Sequence, residues 1–323
     1  MEHNRFQIDY DGFFGGTRNY GAIGMENLSA PLSDAPRRQD PLTAYHVLST
    51  LPWQARKPGM PFEMEEFAIL TAKLSALCWR RYNGPIYLVT DPAGAEYVRS
   101  VGLDRVYDGI KILLSQDNWG IPPDKFWASS KIIALRQVEL PCVVLDMDLI
   151  VWRPLPLDGR VLAAAHVEYI RPDIYPDLNT FHISPRYQFP PQWDPTALPL
   201  NTAILYMADQ AFRDLYTSSA IAFMQYERHT PDDGVRCMVF AEQRILGMCA
   251  AETKISPQVF LDFDHLGVHQ NLITHTWSGK RLLKFDQEAS QRFCVLCRKK
   301  LNNLNAEMCT TRVSSNMNIP MQH

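Results

Sequence analysis

The chain has 323 residues, 32 basic and 35 acidic, for a formal charge of -3. So even a balance excludes a generic nucleic-acid binder and a basic membrane-surface protein. With 46% apolar and 11% aromatic residues, the chain can bury a large core, which excludes disorder over most of its length.

No run approaches the ~18 uninterrupted apolar residues of a membrane span, and the opening MEHNRFQIDYDG has no apolar signal core. The seven cysteines (Cys78, Cys142, Cys237, Cys249, Cys294, Cys297, Cys309) are odd in number and fall mostly in apolar segments. That suits a reducing compartment better than a disulfide framework, so a cytoplasmic protein is expected.

Residues 1–42 hold Gly12, Gly15, Gly16, Gly21 and Gly24, then Pro31, Pro36 and Pro41, with neither helical nor strand period. They read as an accessory or flexible arm that Phe6, Tyr10, Phe13, Phe14 and Tyr20 could dock on the body. Gly12-x-x-Gly15-Gly16 is not a phosphate loop, because no strand or helix flanks it and no Gly-Lys-Ser/Thr follows. From Thr43, short apolar runs alternate with helical segments, the rhythm of a helix-covered sheet. Strands are expected at 44–50, 86–90 and 142–145, with helices at 65–82, 93–101 and 126–138. Pro141 stops the last of these helices. Further strands are expected at 161–167 and 202–207, and helices at 210–226, 240–252 and 287–304. The tail from about Asn305 is polar. Trp79-Arg80-Arg81 lies at a helix end, where cations suit the dipole and no anionic ligand is needed.

The most informative segment is PCVVLDMDLIVWRPL, Pro141 to Leu155, in which an apolar strand ends in Asp146 and Asp148. An open α/β sheet presents its binding crevice at such strand ends. On an extended chain the two carboxylates share a side, where these hard oxygen ligands could hold Mg²⁺ or Mn²⁺. Asp-x-Asp alone is common in solvated turns, but two unpartnered charges at the end of a central strand are costly.

Two families use such a strand end. VVLDMDLIV resembles the first motif of haloacid-dehalogenase-like phosphatases, which would make Asp146 a nucleophile. That motif opens its domain, whereas here about a hundred residues of α/β sequence come first; Asp232-Asp233 and Asp262-x-Asp264 are nominal later acids. The wider resemblance is to metal-dependent GT-A glycosyltransferases and to a bacterial GT-A-like group with Trp-Ala-x-x-Lys…Asp-x-Asp, matched here by Trp127, Lys131, Asp146 and Asp148. It covers about Thr43 to Leu283.

The GT-A resemblance implies a basic residue near the donor (Lys131), a sugar-binding Asn in PLNTAILYM (Asn201), and an acid and amide facing the sugar in FAEQRIL (Glu242, Gln243). In THTWSGKRL it implies a third metal ligand and a diphosphate lysine (His275, Lys280), with Gly279 allowing close backbone approach. His275 and Gly279 are four apart where three is usual, so His269 is a rival ligand. Glu242 is the candidate base for an acceptor hydroxyl. Trp53 could stack on a nucleobase. Cys294-x-x-Cys297 lacks zinc partners beyond Cys309 and His323, and with Leu296 and Leu301 it fits a helix face.

The expected protein is thus α/β, a single large domain with a GT-A-like (Rossmann-like) mixed sheet flanked by helices: an arm at 1–42, the body at 43–283, and a C-terminal helix and loose tail at 284–323. The expected function is a Mn²⁺- or Mg²⁺-dependent transfer of sugar from a nucleotide-sugar donor to an acceptor hydroxyl, with no nucleic-acid partner. The alternatives are a phosphatase and an inactive nucleotide-sugar or partner-binding module.

Overall fold

The computed structural model describes residues 26–157, 159–228, 234–266 and 270–316. Among the described residues nine strands form: β1 (Ala44–Leu48), β2 (Ile86–Thr90), β3 (Gly109–Ile112), β4 (Cys142–Leu145), β5 (Leu149–Val151), β6 (Leu162–Ala164), β7 (Ile204–Met207), β8 (Gln258–Val259) and β9 (Ile273–His275). The main sheet has seven strands in the order β3-β2-β1-β4-β7-β6-β8. Strands β1 to β4 are mutually parallel, β7 runs antiparallel between β4 and β6, and β8 is parallel to β6. This is the mixed α/β sheet in a single domain that the alternation of elements predicts.

Among the described residues, the helices that accompany the strands include α1 (Leu51–Arg56), α2 (Glu66–Tyr82), α3 (Pro92–Ser100), α4 (Ser129–Gln137), α5 (Gln210–Tyr226), α6 (Gly234–Val239), α7 (Ile245–Glu252), α8 (Lys280–Phe285) and α9 (Gln287–Asn316). A π-helical turn, Phe240–Arg244, joins α6 to α7. Strand β4 is buried at every position, as an apolar strand covered on both faces must be. One apolar layer gathers Leu74, Trp79, Leu88 and Val143. The other gathers Phe126, Val144, Phe223 and Phe240.

Several boundaries differ from the periodicity. The first strand stops at Leu48 because Asp91, the cap of α3, accepts hydrogen bonds from Thr50 N at 2.6 Å, Thr50 Oγ1 at 2.9 Å and Gly94 N at 2.8 Å, which turns the chain into α1. The expected helix at 240–252 starts earlier, at Gly234, and carries the π turn inside it. Gly247 lies where α7 meets the 198–199 segment: a Cβ there would stand 2.1 Å from the Leu198 carbonyl oxygen. Only glycine permits this approach.

Residues 26–42 pack on the body: Leu28 is buried, Asn27 Nδ2 donates to Thr274 Oγ1 at 3.1 Å, and Arg38 Nη1 donates to the Leu155 carbonyl at 2.8 Å. The aromatics of residues 1–25 lie outside the described residues. Helix α9 runs on to Asn316 and buries Cys294, Cys297 and Leu301. Burial raises the Cys297 thiol above its ordinary value, which leaves it an inert packing group. Arg80 pairs with Asp108 at 3.0 Å. Among the described residues no helix is long and apolar enough to cross a membrane.

Candidate active site

Asp146 and Asp148 do not sit on an extended strand. Strand β4 ends at Leu145, and Leu149 N donates to the Asp146 carbonyl at 3.0 Å, closing a turn between β4 and β5. The turn, rather than strand alternation, brings the two carboxylates together. Strand β5 leaves the main sheet and pairs antiparallel with β9, setting Leu149 opposite His275. The Asp148 carbonyl accepts from Thr276 N at 3.0 Å and Thr276 Oγ1 at 3.1 Å, extending the register past His275.

His275 Nε2 lies 3.5 Å from Asp148 Oδ2 and 4.0 Å from Asp146 Oδ2. One ligand atom from each of the three lies within 4.8 Å of the others. Two carboxylates and an imidazole at that spacing form a donor set that could hold a divalent cation. His269, the rival ligand, lies outside the described residues.

Two lysines flank the cluster. Lys280 opens α8, and its Nζ is 2.8 Å from Asp148 Oδ2. Lys131, in the first turn of α4, lies 2.8 Å from Asp146 Oδ1 and 2.6 Å from Glu242 Oε1, and donates to the Thr202 carbonyl at 3.1 Å. Glu242 sits in the π turn; it also accepts from Thr202 Oγ1 at 2.6 Å, and its own carbonyl accepts from Tyr216 at 2.7 Å.

These charges set each other's proton affinities. Burial pushes the Asp146 carboxyl above its ordinary value, with Lys131 only partly opposing and the charge of Asp148 adding to the rise. Asp148 faces the same burial, but Lys280 and His275 outweigh it and hold its carboxyl far below the usual range. For Lys131, burial works against the charge, yet Asp146 and Glu242 win and keep it protonated.

The cluster opens into a cavity of about 590 Å³ lined by eight of the residues singled out in the sequence: Lys131, Asp146, Asp148, Asn201, Glu242, Gln243, His275 and Lys280. Its volume is in the range of small-molecule sites. Trp53, Phe62 and Trp127 line it too, with the Trp53 and Phe62 rings edge-to-face at 5.9 Å. Asn201 is held at both ends of its amide: Nδ2 donates to Glu168 Oε1 at 2.8 Å, and Oδ1 accepts from Ala203 N at 3.0 Å.

Sequence reasoning missed His166, Glu168 and Tyr175, which also line the cavity. They come from the connection between β6 and β7, which has no periodicity to mark them. The phosphatase reading finds little here. Asp262 and Asp264 are exposed, pairing with His265 and Tyr169 respectively, and neither lines the cavity; Asp232 and Asp233 lie outside the described residues.

No family model matches the chain. No curated protein matches it either. Among solved structures, it is similar to the apo form of mouse xyloside xylosyltransferase 1, with 13% identity, 73% of this chain and 97% of that chain covered, and a TM-score of 0.35.

Proposed function

We propose that the chain is a metal-dependent, GT-A-like glycosyltransferase that moves a sugar from a nucleotide-sugar donor to an acceptor hydroxyl. The observation that carries this reading is the convergence of Asp146, Asp148 and His275 beside Lys280 on one wall of the 590 Å³ cavity. Asp146, Asp148 and His275 would hold Mn²⁺ or Mg²⁺, which when bound would offset the negative charge that builds on a departing diphosphate.

The chain's own groups supply the rest. Lys280 is partly exposed and can turn its ammonium from Asp148 toward a phosphate oxygen. Lys131 fixes the spacing between Asp146 and Glu242. Asn201, Glu242 and Gln243 form the wall the sugar meets, and Trp53 offers a flat face for a base. The acidic cluster and the two lysines alternate in sign, an arrangement suited to a ligand that carries both an anionic diphosphate and a divalent ion.

The test is a thermal-shift titration of purified protein with uridine and guanosine diphosphates, with and without Mn²⁺, alongside Asp146→Asn and Asp148→Asn. A nucleotide at a hundred times its Kd stabilises by about 2.7 kcal/mol, several degrees for a chain of this size. The expected shift requires both Mn²⁺ and the aspartates. Stabilisation by beryllofluoride with Mg²⁺, and by neither nucleotide, would replace this reading with the phosphatase.

A further inference from the structure

The cavity contains two polar chains that run side by side. The first passes from Lys280 through Asp148, His275, Asp146 and Lys131 to Glu242. The second passes from Asn201 through Glu168 and Tyr175 to Gln243. They join through sequence neighbours, since Asn201 precedes Thr202 and Glu242 precedes Gln243. The first contains two ammonium groups. The second contains one carboxylate, Glu168, with which no lysine or arginine among the described residues pairs.

Glu168 is placed by backbone as well as side chain. Its N–H donates to the Pro199 carbonyl at 2.9 Å, beside the Val167–Leu200 bridge that extends the β6–β7 pairing. Each carboxylate oxygen accepts one protein hydrogen bond, from Asn201 Nδ2 at 2.8 Å and from the Tyr175 hydroxyl at 2.6 Å. Each therefore keeps a lone pair for another donor.

The Tyr175 hydroxyl also stands 2.5 Å from the Gln243 side-chain amide. One phenol has one proton, and burial and the charge of Glu168 raise its proton affinity. The charged Glu168 Oε2 is a stronger acceptor of that single proton than Gln243 Oε1, and with the proton on the carboxylate a flipped Gln243 amide would present its NH₂ to the phenol oxygen. The carboxylate is held in place on the wall of the cavity, with no lysine or arginine among the described residues paired to it.

This division sorts ligands by chemistry. A phosphate belongs on the first chain and is repelled by Glu168; a neutral hydroxyl, which can donate, suits Glu168. Glu242 differs in that its charge is already matched by the Lys131 ammonium at 2.6 Å, whereas Glu168 has no such partner among the described residues. We infer that Glu168 is the carboxylate of this cavity that accepts a hydrogen bond from a sugar-type hydroxyl of the substrate, with Asn201 and Tyr175 as its positioning residues. The inference rests on the transferase reading and names the residue that receives the non-phosphate part of its substrates.

The hydroxyl can belong to the transferred sugar or to the acceptor, and one set of measurements separates them. Glu168→Gln and Tyr175→Phe are compared with the unaltered protein in the presence of Mn²⁺. Titration calorimetry follows binding of uridine and guanosine diphosphates and of UDP-glucose, UDP-galactose and GDP-mannose; turnover assays follow donor hydrolysis and transfer to p-nitrophenyl glucoside and galactoside.

For a hydroxyl on the donor sugar, Glu168→Gln binds the bare diphosphates unchanged and the nucleotide sugar about 10- to 100-fold more weakly. For an acceptor hydroxyl, donor binding and hydrolysis are unchanged while transfer falls by the same factor. Tyr175→Phe moves in the same direction by a few-fold, in KM more than kcat. Equal weakening of bare-diphosphate binding by Glu168→Gln overturns the inference, as does no change in any measurement. If the unaltered protein binds no nucleotide, the transferase reading itself has failed; if it binds and Glu168→Gln behaves identically, only the inference falls.

Discussion

Beneath the cluster, His46 on β1 is fully buried between two hydroxyls, with Nδ1 2.9 Å from the Tyr107 hydroxyl and Nε2 3.0 Å from Ser75 Oγ. Ser75 donates its own proton to the Leu149 carbonyl at 2.5 Å, so Ser75 accepts from Nε2–H and Nδ1 must accept from Tyr107. Protonating Nδ1 would break that donation. Burial pushes the imidazole from 6.5 down to about 3, with the charge of Asp148 only partly opposing.

A base whose folded-state value is depressed contributes stability that is complete above 6.5 and is lost as pH falls toward 3. The loss is about 1.4 kcal/mol per pH unit, or about 3 kcal/mol by pH 4.5. His46→Gln removes the titration while keeping a polar side chain, at a fixed cost in hydrogen bonding. Urea denaturation of both proteins from pH 7.5 to 4.5 should show the gap between them narrowing by about 3 kcal/mol. Parallel curves would mean that His46 is not held neutral by burial, and the tautomer assignment would fall with it.

Lys131→Met leaves Asp146 and Glu242 facing each other in a buried setting, and unfolding in urea should register a loss of about 3 kcal/mol; a change under half a kcal/mol would refute the pairing. Gly247→Ala forces a methyl against the Leu198 carbonyl, with an expected cost of about 2 kcal/mol. Because the π turn ahead of α7 is tied to this segment by Leu200 N donating to the Gln243 carbonyl at 3.2 Å, the same variant should also weaken the nucleotide-sugar binding proposed above, and an unaltered melt and affinity would show that the contact can relax.

The parts of the site legible in the sequence are those with a local signal. The apolar run Cys142–Leu145 ending at Asp146 reads as a central strand because a strand covered on both faces must be apolar throughout. Lys131 is legible through its helix. What could not be read depends on pairings distant in the chain. The turn that joins Asp146 to Asp148 exists because β5 peels away to pair with β9, and neither three-residue strand is long enough to show a period. Glu168 and Tyr175 gain meaning only against Asn201 and Gln243, which belong to other elements. The π turn escaped notice because its sequence, FAEQR, fits an ordinary helix.

The β5–β9 ribbon also sets an order of events during synthesis and folding. The two aspartates leave the ribosome behind a parallel unit that can begin to pack from β1, β2 and β4, while their histidine partner follows only with β9, after β6, β7 and β8. A contact so distant in sequence closes slowly. Until it closes, β5 has no strand beside it and the turn carries acid without imidazole, so a nascent or truncated chain holds at most a two-carboxylate site. Completion of the ribbon is therefore the step at which a folded body brings Asp146, Asp148 and His275 together as a set that could hold a metal ion.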